Sequence, residues 1–170
     1  LRESIGQVFR LAIATARATS DPTRDMRGAL VTPVVTNRAA ILNQQRLGDL
    51  LREMDDFETT RARSEVVAAL RLLIATATRP GEVRGATWGE FDLDARLWTL
   101  PAARTKQRKT HRVVLAPAVV TLLTDLRERS PRVGPTDLVF PATGRPGRPM
   151  SENTFVQALR SMGFGADEVT

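Results

Sequence analysis

The sequence predicts an α+β fold, mainly α: a helical domain carrying a small three-stranded antiparallel sheet. Two observations lead there. Apolar residues recur at helical spacing over 1–18, 44–57, 61–78 and 117–130, and between 88 and 115 the period drops to two. The handover between the two patterns falls on Thr78-Arg79-Pro80-Gly81-Glu82-Val83, where a proline lacking its N–H ends one helix and is pre-set to start another.

In chain order, Ile5, Val8, Phe9, Ala12, Ile13 and Ala16 share one face of the first helix, which Ser20-Asp21-Pro22-Thr23 stops. Pro22, Gly28 and Pro33 make 20–38 an extended linker bearing Arg24, Arg27 and Arg38. A compact domain is expected from residue 39. Asn43 caps a helix over 44–57 with Leu47, Leu50, Leu51 and Met54 inward. Its other face, with Asp49, Glu53, Asp55, Asp56 and Glu58, suits solvent and not a polyanion. The strongest helix covers 61–78. Val66, Val67, Leu70, Leu73, Ile74 and Ala77, thickened by Ala69 and Leu72, mark it as the central buried helix that delivers Arg79. A short helix follows from Pro80 to about residue 86.

Strands are expected at Trp88-Gly89-Glu90-Phe91-Asp92, Leu97-Trp98-Thr99-Leu100 and Thr110-His111-Arg112-Val113-Val114-Leu115. A turn over 92–96 joins the first two, and a long, flexible polar tip over 102–109 joins the last two. Pro117 opens a helix to about residue 130 with Val119, Val120, Leu122, Leu123 and Leu126 buried. Leu138-Val139-Phe140-Pro141 is extended and 143–149 is a loop. Ser151 caps a last helix, with Phe155, Val156, Leu159 and Met162 inward and Gly163 as its stop.

Composition narrows the chemistry. With no cysteine and one histidine, thiolate and His-cluster metal sites are excluded, no disulfide framework can form, and a reducing cytoplasm is the natural setting. No run of about 18 apolar residues offers a membrane span. The net charge is +6, and Lys106 and Lys109 are the only lysines among 25 basic residues. Arginine-dominated charge suits phosphate partners, or reflects arginine usage alone.

The charge concentrates between Pro101 and Leu115, where Arg104, Lys106, Arg108, Lys109 and Arg112 face no acid. Such a tip reads phosphates, or keeps an edge hairpin soluble and unpaired. By position alone, Arg79 is either a solvated arginine at a helix junction or a guanidinium presented to a phosphate. Gly144-Arg145-Pro146-Gly147 lacks the Lys-Ser/Thr ending of a nucleotide loop. Asp92 and Asp94 are turn residues, and a lone His111 makes no hydrolase triad.

Together these motifs resemble the catalytic domain of tyrosine recombinases. The resemblance rests on Thr78-Arg79-Pro80-Gly81-Glu82-Val83, Trp88, Leu97-Trp98-Thr99-Leu100-Pro101 and a basic hairpin closing on His111-Arg112-Val113-Val114-Leu115. More narrowly, the chain is similar to prophage integrases that insert elements into bacterial tRNA genes. Ile5-Gly6-Gln7-Val8-Phe9-Arg10 with Asp21-Pro22-Thr23 resembles the last helix of that family's core-binding domain. The resemblance implies three parts: 1–19 as that helix, 20–38 as linker, and 39–170 as a partial catalytic domain.

The resemblance also implies roles. Arg79 would hold a non-bridging oxygen of the scissile phosphate, with Glu82 supporting it. Lys106 would protonate the leaving 5′-oxygen, with Lys109 the competing candidate if the hairpin register differs. Arg104, Arg108, Lys109 and Arg112, and more remotely Arg145 and Arg148, would contact DNA backbone. The partners implied are double-stranded DNA attachment sites and other copies of the protein on DNA, with no cofactor, no metal and no membrane. A bacterial cytoplasmic protein, on the nucleoid when bound, is expected. The family's His-x-x-Arg box and tyrosine nucleophile are not found in this sequence, which contains no tyrosine. The chain is therefore expected to be a fragment of an integrase, inactive alone. The alternative is a DNA-binding module without catalysis.

Overall fold

The protein is described by a computed structural model covering residues 2–26, 39–61 and 64–169, without the side chains of 58–61 and 64. The chain forms two compact units, Leu1–Asn37 and Arg38–Thr170. Most of the linker expected over 20–38 lies outside the described residues.

In the first unit, α1 spans Arg2–Ala14 and is ended by Ala16 in the left-handed region, φ 56°. Asp21 folds the following turn by accepting the Thr23 N–H at 2.9 Å and hydroxyl at 2.7 Å. Those bonds hold its carboxyl below the ordinary aspartate range. The helix residue that is buried is Gly6, where a Cβ would stand 3.0 Å from the Thr23 hydroxyl. The expected inward stripe is not covered. Ile5, Val8, Ile13 and Ala16 are exposed, with the described residues of this unit supplying one helix and a turn.

The second unit is built on α3, Ser64–Thr76. It touches α2 (Gln44–Arg61), α4 (Pro80–Arg84), α5 (Pro117–Arg129) and α6 (Thr154–Ser161). Asn43 caps α2 as expected, its Oδ1 accepting from the Gln45 N–H at 2.8 Å. On α2 the inward set is Leu50, Met54 and Phe57, whereas Leu47 and Leu51 are exposed. The stripe on α3 is also displaced. Val66, Val67, Ala68, Ala69, Leu70 and Leu72 are buried, because neighbours close around several sides of the helix. Ile74, expected inward, is 42% exposed, and Ala77 is exposed too. Leu72→Ala should therefore destabilise the chain by about 3 kcal/mol in urea unfolding, and Ile74→Ala by no more than about 1 kcal/mol. On α5, Val119, Leu123 and Leu126 are buried, whereas Val120 and Leu122, expected with them, are half-buried at the edge of the core.

The sheet has the expected order β1-β2-β3, antiparallel throughout, from Phe91–Asp92, Leu97–Leu100 and His111–Val114. Trp98 faces Phe91 on one side and Val113 on the other, and Leu100 faces His111. Phe91 and Trp98 stack with ring centroids 5.1 Å apart. Trp88–Glu90, expected in strand, forms a 3-10 turn. Its N–H groups are claimed from far along the chain: Trp88 donates to the Asp137 carbonyl at 3.0 Å and Gly89 to that of Pro135 at 2.9 Å. A Cβ on Gly89 would meet the Pro135 oxygen at 2.6 Å. Gly89→Ala should thus lower the melting temperature by several degrees, the shift that about 1–2 kcal/mol produces.

Two further expectations change. The stretch expected as a loop over 143–149 contains β5 (Arg145–Pro149), which pairs with β4 (Pro141–Ala142). Gly144, at φ 70°, makes the two-residue turn between them. Pro146 and Pro149 fit this strand because a two-stranded ribbon has only edges, where proline is tolerated. On α6 the first helical residue is Thr154, with Asn153 before it. Ser151 lies too early to cap, and its hydroxyl is 3.0 Å from that of Thr154.

Beyond α6, Gly163 (φ 86°) turns the chain back onto α2. Arg46 holds it there, donating to both carboxylate oxygens of Glu168 at 2.6 and 2.9 Å and to the Gly163 carbonyl at 3.1 Å. Its guanidinium lies 4.1 Å over the Phe164 ring. The Arg46 hydrogen bonds keep the Glu168 carboxyl below its ordinary value. A depressed carboxylate pKa stabilises the fold above the unfolded value and stops doing so as pH falls through the folded one. Protection of the Phe164 amide, relative to its intrinsic exchange rate, should fall as pH drops below the ordinary glutamate range. In Arg46→Ala that acid step should vanish, leaving exchange fast at neutral pH as well.

Candidate active site

Arg79 stands at the N-cap of α4 with extended dihedrals (φ −78°, ψ 144°). Helix α3 ends through Ala77, at φ 50°, and Pro80 opens α4 in the first position. Glu82, three residues on, reaches back. One carboxylate oxygen accepts the Arg79 backbone N–H at 2.9 Å, and the other accepts the Arg79 Nη1–H at 3.0 Å. The pairing is asymmetric in burial: the Glu82 side chain is 7% exposed and that of Arg79 57%. The carboxylate is anchored in the domain, and the guanidinium keeps its remaining donors toward solvent.

These two residues form one wall of a cleft of about 380 Å³. The other wall is the β2–β3 connection, through Thr105, Gln107, Lys109, Thr110 and His111. That connection is not the flexible tip expected. Ala102–Arg104 is a 3-10 turn, and a turn over 105–108 follows, closed by the Arg108 N–H on the Thr105 carbonyl at 3.1 Å. The buried Thr105 hydroxyl staples the loop, donating to the Lys109 carbonyl at 2.7 Å and accepting the Lys109 N–H at 3.1 Å. Lys109 is thereby set on the cleft wall. Lys106 projects from the second position of the turn, exposed, and is not among the residues lining the cleft. Thr105→Val keeps the shape but loses the staple, so it should speed amide exchange at Lys109 about tenfold or more while β2–β3 stays protected.

Arg108 (φ 53°) and Arg112 are exposed and lie outside the lining. Arg104 differs from the exposed phosphate reader expected from its charge. Its side chain is only 24% exposed, forms an ion pair with Glu90, and donates to the Glu82 backbone carbonyl at 2.5 Å. Arg145 lines a separate cleft of about 860 Å³ with Pro131, Met150 and Thr154, and Arg148 is exposed on β5.

His111 is the residue that sequence reasoning set aside. Alternation along β3 puts it on the face of Val113, opposite Leu100, and at the core's edge that face opens into the cleft. The period-two pattern that identified the strand carried this signal. A guanidinium, an ammonium and an imidazole around one anchored carboxylate make a cleft suited to an anion.

Residues 41–169 match the phage integrase family. The chain belongs to the phage integrase family. The integrase of Enterobacteria phage P4 is 32% identical over 176 residues, covering 96% of this chain and 38% of its own length. Prophage integrase IntZ of Escherichia coli strain K12 is 33% identical over 167 residues, covering 96% of this chain and 39% of its own length. The chain thus spans about two fifths of these curated relatives. Two solved structures share the fold. One is the Tn1549 transposon integrase in complex with a circular intermediate DNA, with a TM-score of 0.69 at 12% identity over 95% of this chain and 55% of that one. The other is a lambda integrase tetramer bound to a Holliday junction, with a TM-score of 0.67 at 17% identity over 96% of this chain and 46% of that one. Among the described residues, six helices and a three-stranded antiparallel sheet make the α+β, mainly α, arrangement expected from the sequence, and the two recombinase structures share this fold. Among the described residues, no helix is long and apolar enough to cross a membrane.

Proposed function

We propose that the protein containing this chain performs site-specific DNA recombination, cleaving and rejoining double-stranded attachment sites without a metal to integrate or excise a prophage or mobile element. The observation that carries this reading is Arg79, presented by a buried carboxylate into a cleft whose opposite wall is the basic β2–β3 loop. In the reaction, a deprotonated nucleophilic oxygen bonds to phosphorus as the bond from phosphorus to the 5′-oxygen breaks. The departing oxygen takes a proton from a lysine, which becomes a neutral amine. Arg79 holds a non-bridging oxygen and stabilises the charge that builds there. Lys106 supplies the proton, with Lys109 its rival for that role. Arg108, Lys109 and Arg112, with Arg145 and Arg148 further off, contact DNA backbone.

Residues 1–19 end a core-binding domain, 20–38 link it, and 39–170 form part of the catalytic domain. With no tyrosine of its own, the chain alone does not cleave. The protein works in the bacterial cytoplasm and self-associates on DNA, as the tetrameric lambda integrase on a Holliday junction supports. The test is trapping of a covalent protein–DNA adduct by the whole recombinase on its attachment site, with and without EDTA. An adduct insensitive to EDTA is the expected result. Salt-dependent binding with no adduct would favour the non-catalytic DNA-binding module, and cleavage that needs a metal would overturn the mechanism.

A further inference from the structure

We infer that Arg104 is a positioning residue that sets the spacing between Arg79 and the lysine-bearing loop. This rests on the recombinase reading above. Arg104 ends the 3-10 turn that leads directly into Thr105, Lys106 and Lys109. Its guanidinium leaves the loop and reaches under α4, donating to the backbone carbonyl of Glu82, the residue whose side chain holds Arg79. Its other arm pairs with Glu90, whose side chain is 8% exposed. The second Glu90 oxygen is fixed by the Trp98 Nε1–H at 3.0 Å, which ties the pair to the centre of the sheet. One planar side chain therefore bridges the element carrying the phosphate-holding arginine and the element carrying the proton donor. Lysine, with a compact ammonium on a flexible stem, cannot reproduce that fork.

The space for the bridge comes from Gly85. A Cβ there would stand 2.9 Å from the Arg104 Nη2. Its backbone, at φ −96°, is open to any residue, so the absence of a side chain serves the guanidinium and not the turn. Gly85→Ala therefore displaces Arg104 without removing a charge.

The test separates positioning from general stability. Arg104→Met with Glu90→Gln removes both charges together, which a fold tolerates better than leaving one buried charge unpaired. This double variant and Gly85→Ala are assayed in the whole recombinase at a temperature where melting shows both folded. DNA affinity and single-turnover cleavage are compared on a normal substrate and on one whose leaving 5′-oxygen is replaced by sulfur. A thiolate leaves without a proton, since a thiol ionises near pH 8.5. Affinity should stay within about twofold and cleavage should fall roughly tenfold to a hundredfold, a loss that a misplacement of about 1 Å can cause. The sulfur substrate should restore most of it. Normal cleavage of the oxygen substrate, or a loss that sulfur does not restore, overturns the inference. Lys106→Ala and Lys109→Ala run in parallel: if sulfur rescues neither, the lysine-acid mechanism itself has failed, a result distinct from failure of Arg104 alone.

Discussion

Arg79→Ala in the whole recombinase is expected to slow strand cleavage by about a thousandfold, the scale on which a preorganised donor to a transferring phosphoryl group acts. Affinity for the attachment site should change far less, because many backbone contacts share it and one phosphate contact is lost. Arg79→Lys should recover little. The structure sets one arm of the planar fork against Glu82 and leaves the rest free, a division that an ammonium cannot reproduce. Glu82→Gln should give an intermediate loss, since its one amide oxygen still accepts from the Arg79 N–H while its NH2 group, a donor, faces the guanidinium and no longer holds it. Single-turnover cleavage with a parallel filter-binding titration measures both quantities. Cleavage by Arg79→Ala at the parental rate would remove Arg79 from the site.

Lys106→Ala should slow cleavage by about a hundredfold to ten-thousandfold, the range of general acid catalysis, and sulfur at the leaving position should recover it. Lys109→Ala should act mainly on affinity and its salt dependence, reducing the slope by about one contact. The geometry makes this pair a sharp test, because in the structure Lys109 lines the cleft and Lys106 stands on the turn beside it. On the proposed mechanism Lys106 would swing toward the phosphate, which its long and flexible stem permits. If sulfur rescues Lys109→Ala and not Lys106→Ala, the proton donor is Lys109.

Much of the candidate site is legible because its chemistry is local. Pro80 in the first helical position and Glu82 three residues after Arg79 lie within a single turn, so the helix start and the Arg79–Glu82 pairing are readable from adjacent residues, while the role of Arg79 comes from the family resemblance. Asn43 as a cap, the antiparallel order of the sheet and the inward face of α5 are legible for the same reason. The α3 stripe is not. The helical period names a face, but burial depends on which helices close around it, so Leu72 is covered where Ile74 is not. Trp88–Glu90 alternates like a strand, yet carbonyls more than forty residues away take its N–H groups and wind it into a 3-10 turn.

The basic hairpin shows the division most clearly. Its charge and position are written in the residues, since five cations without an acid repel one another and seek an anion wherever the chain puts them. Which cation meets the anion is a matter of partners brought from elsewhere. Arg104 is drawn inward by Glu90, 14 residues away, and by the Glu82 carbonyl, 22 away, whereas Lys109 is held on the cleft wall by Thr105. Sequence proximity constrains capping, turn and period because those depend on a few adjacent dihedrals. The split of a charged run into a structural bolt and cleft-facing cations depends on desolvation and pairing, which exist once the sheet, α4 and the hairpin have closed on one another.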